Sequence, residues 1–219
     1  MFAKINVQRL KSLFSSVELP GWNAQHLFSP AFRDEQLKIN AQHQFEAAVG
    51  IILFYQNNEL SVLFIKRTPD PGPHSGQIAF PGGTKEANET HLETAYREIE
   101  EEIGIKKQDL IFIGSLSSLY IPVSKFLVFP FVFFCEHLPD LKLNKAEIDT
   151  ILTFPVKKFL NADVLSTSTI YYNQKEFQVP CFLVNDIVIW GATSMIWNEC
   201  LSILKQIVNE QNQFTRTTL

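Results

Sequence analysis

Glu98, Glu101 and Glu102 stand at i, i+3 and i+4, so a helix through them projects all three carboxylates from one flank. Glu93 and Glu100 fall on the opposite flank. Like charges at that spacing repel by roughly 0.2–0.5 kcal/mol per exposed pair. A hard divalent cation removes the repulsion, and carboxylate oxygens with retained waters are the ligands that Mg2+ takes. A bare Glu-Glu-Glu run is more often a solvated helix face. Here it comes with Gly83, Glu89 and Arg97 in the same short window, five residues separating the first pair and seven the second. That company favours metal-assisted chemistry over solvation.

A helix must hold these groups, and its limits are written in the chain. Thr90 and Glu93 have the spacing of a capping box, each side chain satisfying a free backbone N–H at the helix start. Gly104 is the residue type that stops a helix in the left-handed conformation. Between them Leu92, Ala95, Tyr96, Ile99 and Ile103 form one apolar stripe, the expected buried face. Ahead of the helix, RTPDPGPHSG over 67–76 reads as a loop, then a short strand over 77–80 leads to Pro81-Gly82-Gly83. Two glycines there predict a turn whose backbone comes close to a ligand, with the Gly83 carbonyl able to face a metal.

The chain has 219 residues, 46% hydrophobic and 19% charged, which suits one globular domain with a substantial core. Net charge is −4 with no basic run, which argues against a nucleic-acid surface. Cys135, Cys181 and Cys200 are odd in number and far apart, matching neither a disulfide framework nor a zinc site. Buried thiols in a reducing, cytoplasmic setting are the expectation. No signal peptide and no membrane-length apolar run is read in the sequence. Residues 126–135 are apolar but short and carry Pro130, so a buried strand is expected.

In order, residues 1–44 read as an N-terminal extension with a helix over 7–15 and an irregular stretch over 20–44. Residues 45–210 form the main domain. Strands are predicted over 47–55 and 61–66, a hairpin turning at Gln56-Asn57-Asn58, and again over 110–119, 126–135, 146–153, 177–183 and 187–191. A helical turn is expected at 155–160, an amphipathic helix over 192–210 and a frayed tail over 211–219. Strands on both sides of a central helix, with a second helix at the end, predict an α/β architecture: a mixed sheet covered on both faces.

Gly83, Glu89, Arg97-Glu98-Ile99, Glu101-Glu102 and Gly104-Ile105 together resemble the Nudix box, the signature of hydrolases that split diphosphates linked to another group. The segment LFIKRTPDPGPHSGQIAFPGG over 63–83 is similar to the element ahead of the box in the coenzyme A diphosphatase branch, through Arg67, Thr68, Gly76, Ile78 and Phe80-Pro81-Gly82-Gly83. Segments 119–132, 144–148 and 189–193 are similar to that branch too. It departs at Pro71-Gly72, where the branch has Leu-Arg.

The resemblance implies a Nudix-type α/β/α sandwich and Mg2+ or Mn2+ held by Glu98 and Glu102, with Glu101 and Gly83 beside them. Arg97 would pair with Glu89 and hold the loop against the helix. The general base is left open among Glu101, Glu147 and water activated by the metal. Arg67, His74, Gly82 and Glu147 are the expected substrate contacts. The implied partner is a small nucleotide-derived diphosphate, coenzyme A or an acyl derivative first, with ADP-ribose, dephospho-coenzyme A or a dinucleotide as alternatives. A non-catalytic sensor on the same fold ranks below these, and a homodimer is left open.

Overall fold

The computed structural model describes residues 6–31, 33, 44–69, 76–172 and 175–217. Strands β1 (Phe45–Gln56) and β2 (Glu59–Arg67) pair antiparallel across Asn57 and Asn58. Both asparagines are left-handed, φ 51° and 62°, the conformation a two-residue hairpin turn requires and that Asn tolerates better than most side chains. On the other side of β1 lies β7 (Phe126–Cys135), parallel to it from Phe45 opposite Phe126 to Phe54 opposite Cys135.

The sheet continues outward through β3 (Ile78–Ala79) on β2 and β5 (Ile111–Ser115) on β7. Three further strands attach to it: β4 (Gly82–Thr84) on β1, β6 (Leu119–Ile121) on β7 and β8 (Ile148–Pro155) on β2. Parallel and antiparallel pairs make this eight-stranded sheet mixed, as expected.

Three local expectations are corrected. The strand expected over 110–119 is two strands, β5 and β6, which pair with successive stretches of β7. Pro130 falls at the break between them, a place where a strand proline is tolerated. The Gly82-Gly83 turn is instead strand β4, with Gly83 opposite Ala48. The late strands do not join the main sheet. Strands β9 (Leu165–Tyr172), β10 (Lys175–Val184) and β11 (Ile187–Trp190) form a separate antiparallel sheet, and β9 was not expected at all. Its sequence LSTSTIYY has too few apolar positions for the alternation to declare itself.

Successive residues of β1 point to opposite faces, and both faces are covered. Ala48, Ile52 and Phe54 meet α3 (His91–Ile103) through Ala95, Ile99 and Ile103. Gly50 lets that helix approach, since a Cβ there would press into the Ile99 side chain. Ile51 and Leu53 face the opposite cluster, built from α1 (Val7–Ser16) and α4 (Gly191–Thr217) through Leu10, Phe14, Met195, Trp197 and Leu201. Helix α4 runs beyond its expected end at Glu210.

The stretch over 20–44 is more ordered than expected where it is described. It contains α2 (Trp22–Gln25) and a 3-10 turn at His26–Phe28. Glu199 on α4, fully buried, accepts from Gly21 N (3.0 Å), Gln25 Nε2 (2.8 Å) and Ser117 N (3.2 Å). Asn198 Nδ2 donates to the Ala24 carbonyl at 2.8 Å. Four hydrogen bonds thus tie this N-terminal arm and the link between β5 and β6 to the last helix.

Candidate active site

Both halves of the capping box form: Glu93 N donates to Thr90 Oγ1 (3.2 Å) and Thr90 N to Glu93 Oε2 (2.8 Å). Glu93 is therefore spent on the helix start. Gly104 ends α3 at φ 78°, left-handed as expected.

Arg97 is the hub of the site. It grips Glu89 with two donors, Nη2 to Oε1 at 2.9 Å and Nε to Oε2 at 3.2 Å. Its Nη1 reaches Glu98 Oε1 (2.8 Å) and Glu101 Oε2 (3.0 Å), and Nη2 also reaches the Thr84 carbonyl (3.0 Å). Glu89 in turn accepts from Glu86 N and Thr94 Oγ1, each at 2.8 Å. The Arg97 hydrogen bond holds the Glu89 carboxyl down to about 2, and the pairing raises Arg97 further. One guanidinium thereby locks the loop before α3, strand β4 and two of the helix carboxylates into one unit.

The three clustered carboxylates differ in environment. Glu101 is 57% exposed, Glu98 13% and Glu102 1%. Glu102 Oε1 accepts from Arg67 Nη1 at 3.2 Å and Oε2 from Gly82 N at 3.0 Å. Burial nevertheless pushes Glu102 up to about 7, the Gly82 and Arg67 contacts offsetting only part of the cost. Glu98 is raised by burial against the pull of Arg97.

Both glycines ahead of the helix are required by close approach. A Cβ on Gly82 would overlap the Ala48 carbonyl and lie 2.7 Å from Val49 Cα, and one on Gly83 would collide with the Glu98 carboxylate. Without side chains, β4 slides between β1 and the helix and presents the Gly82 N–H to Glu102.

Arg67, Gly82, Gly83, Arg97, Glu98, Glu101, Glu102 and Glu147 all line one cavity of about 910 Å3. Glu147 enters from the turn before β8, where Asn144 Nδ2 donates to its Oε1 at 3.1 Å and its carbonyl takes Thr68 N at 2.8 Å. Glu89 stands behind, bonded to Arg97 and to Glu86 N, two residues of the cavity lining. His74 lies outside the described residues.

Away from the carboxylates the walls turn apolar, with Leu119, Ile121, Val128, Ile170, Trp190 and Ile196. Among the polar residues of the lining that sequence reasoning did not single out are Arg33 and Ser124. Ser124 falls inside segment 119–132, which resembles the coenzyme A diphosphatase branch, whereas Arg33 sits in no motif.

The donor set is all oxygen, which suits Mg2+ or Mn2+. Burial raises Glu102 to about 7, and a bound cation would offset that cost as a proton does. No three His, Cys, Asp or Glu side chains among the described residues converge as a ready-made metal cluster. Arg97 and Arg67 hold these carboxylates instead, and a metal would compete with them for the same oxygens. The residues fit such an ion in chemistry and charge.

A mixed sheet between helices, with a carboxylate helix behind a glycine pair, defines a hydrolase of pyrophosphate bonds. The family model described as the NUDIX domain matches residues 44–172, and the chain belongs to that family. It is similar to Nudix hydrolase 3 of Caenorhabditis elegans, 26% identical over 191 residues covering 80% of each chain. It is also similar to the peroxisomal coenzyme A diphosphatase NUDT7 of Mus musculus, 26% identical over 156 residues covering 68% of this chain and 66% of that protein. Among solved structures, a MutT/nudix family protein from Enterococcus faecalis superposes over 95% of this chain and 76% of its own with a TM-score of 0.50. At 17% identity that likeness concerns the fold. The chain is thus a Nudix hydrolase, and nucleoside diphosphate derivatives are its substrate class.

Proposed function

We propose that the chain cleaves the diphosphate of coenzyme A or an acyl derivative, giving adenosine 3′,5′-bisphosphate and (acyl-)4′-phosphopantetheine. The observation that carries this reading is the cavity, which joins an acidic end to a long apolar wall. A molecule with a diphosphate in its middle and a long, weakly polar arm suits both ends at once. The similarity to the mouse coenzyme A diphosphatase supports the same choice.

In this reading Glu98 and Glu102 hold Mg2+ or Mn2+, with Glu101 and the Gly83 carbonyl completing the donors. When bound, the ion neutralises phosphate oxygens and acidifies the attacking water. Arg97, fixed by Glu89, keeps Glu98 and Glu101 aimed into the cavity. Arg67 reaches from β2 to Glu102 and lies where a phosphate oxygen would share its guanidinium. Glu101 or Glu147 takes the proton as the water oxygen bonds to phosphorus, and the second phosphate leaves with the electrons of the broken P–O bond.

Product analysis on coenzyme A, acetyl-coenzyme A and ADP-ribose with Mg2+ and with Mn2+ tests it. Release of adenosine 3′,5′-bisphosphate, at the highest kcat/KM of the set, is the expected result. Pro71-Gly72 in place of Leu-Arg favours a second reading, ADP-ribose or a dinucleotide, because a bidentate phosphate partner is missing. A clear win for ADP-ribose would establish that second reading. All box carboxylates are in place, which sets a non-catalytic sensor behind both.

A further inference from the structure

We propose that Arg33, on the N-terminal arm, with Ser124 in the same cavity lining, binds a second phosphate of the substrate, remote from the one that is cleaved. This rests on the coenzyme A reading only for the source of that phosphate, the ribose 3′ position. The chemical class is a nucleoside 3′,5′-bisphosphate.

The cavity divides its charges unevenly. Arg67 and Arg97 both sit at the acidic end, donating to Glu102 and to Glu89, Glu98 and Glu101. An anion with two more charges than a plain diphosphate needs a cation elsewhere. Arg33 offers a guanidinium there: it lines the cavity at 7% exposure, from a segment outside the box and outside the family match. Its position is held by contacts to the Tyr120 carbonyl, to Met195 Sδ at 3.3 Å and to the Trp22 ring face 5.1 Å from the guanidinium carbon.

A second observation is independent of the arm. Ser124 lies in the turn between β6 and β7, just past Tyr120, and its Oγ is buried without a hydrogen-bond partner among the described residues. A buried hydroxyl lining a cavity and lacking a partner is a donor waiting for a ligand oxygen. A guanidinium and a hydroxyl lining one cavity are the donor types that take a phosphate.

The test compares kcat/KM for coenzyme A and dephospho-coenzyme A in the full chain, wild type against Arg33→Met, Arg33→Lys and Ser124→Ala. A second measurement reads inhibition by adenosine 3′,5′-bisphosphate against adenosine 5′-monophosphate, using whichever diphosphate the protein hydrolyses. Wild type is expected to favour the 3′-phosphorylated member of each pair by about tenfold or more, the scale of one charge-assisted hydrogen bond. Arg33→Met should bring both ratios towards one, Arg33→Lys should keep part of them and Ser124→Ala should lower them several-fold.

If the bisphosphate is preferred and that preference falls in the variants while coenzyme A is not cleaved, the substrate reading fails and the phosphate site stands. If coenzyme A is cleaved but Arg33→Met and Ser124→Ala leave the ratios intact, the phosphate site is overturned alone. Equal inhibition by the two nucleotides in wild type overturns it without any variant, so a misfolded Arg33→Met protein cannot shelter it.

Discussion

Glu102 is buried and pushed up to about 7, whereas Glu100, two residues away, stands exposed on the outer flank of the same helix. The contrast makes a sharp mutational pair. Glu102→Gln keeps the shape but removes a charge from the acidic end, so kcat should fall roughly a hundredfold or more, the scale of losing one electrostatic stabiliser. Glu100→Gln should leave kcat close to wild type. Equal losses would mean the helix faces have been assigned wrongly. Activity should likewise vanish in excess chelator and return with Mg2+ or Mn2+; full turnover in EDTA would rule out the ion. Glu89 carries a pH signature of another kind. Its folded carboxyl is held down to about 2 by Arg97, below the ordinary value of 4.5, so it stabilises the fold above pH 4.5. That contribution is lost as pH falls from about 4.5 to 2. Urea titrations across this window should show a steeper acid loss for wild type than for Glu89→Gln, whose curve lacks that titration.

At the scale of single elements, β4 is the most exacting. Gly82→Ala drives a methyl into the backbone of β1 and should cost about 1–3 kcal/mol, the range of overpacking, with activity falling further because the Gly82 N–H moves off Glu102. Denaturant unfolding with parallel kinetics checks both, and an unchanged midpoint would contradict the close approach. The helix that follows was fully legible in the sequence, because its cap, its stop and its i, i+3, i+4 carboxylates are local features. The Glu89–Arg97 pair was legible too, but the resemblance carried it, not the spacing. What lay beyond reading depends on distance along the chain. The β1–β2 hairpin was legible, but Arg67 meets Glu102 only because the helix packs across both strands, and the Gly82-Gly83 pair looks like a turn until β1 is there to receive it. Strand β9 stayed hidden for a different reason. Serine and threonine fill its positions, so pairing with β10 defines it and hydrophobic period does not.

Across the whole molecule, Glu199 gathers segments that sequence places far apart. Glu199→Ala would leave the Gly21 and Ser117 N–H groups without their acceptor and the Gln25 amide with the Ser117 carbonyl alone. A loss of about 1–3 kcal/mol for each donor left buried and unpaired sets the ceiling, so the melting temperature should drop markedly. Hydrogen exchange should quicken first in the arm, over residues 21–28; uniform loss of protection would instead point to a general core defect. The same carboxylate sets an order of events during synthesis. Until residue 199 has been made, Gly21 N lacks its carboxylate and Gln25 can reach only the Ser117 carbonyl. Met195 and Ile196 of α4 line the cavity beside Arg33, so a nascent chain stalled before that helix would hold its acidic end with that side of the cavity still open.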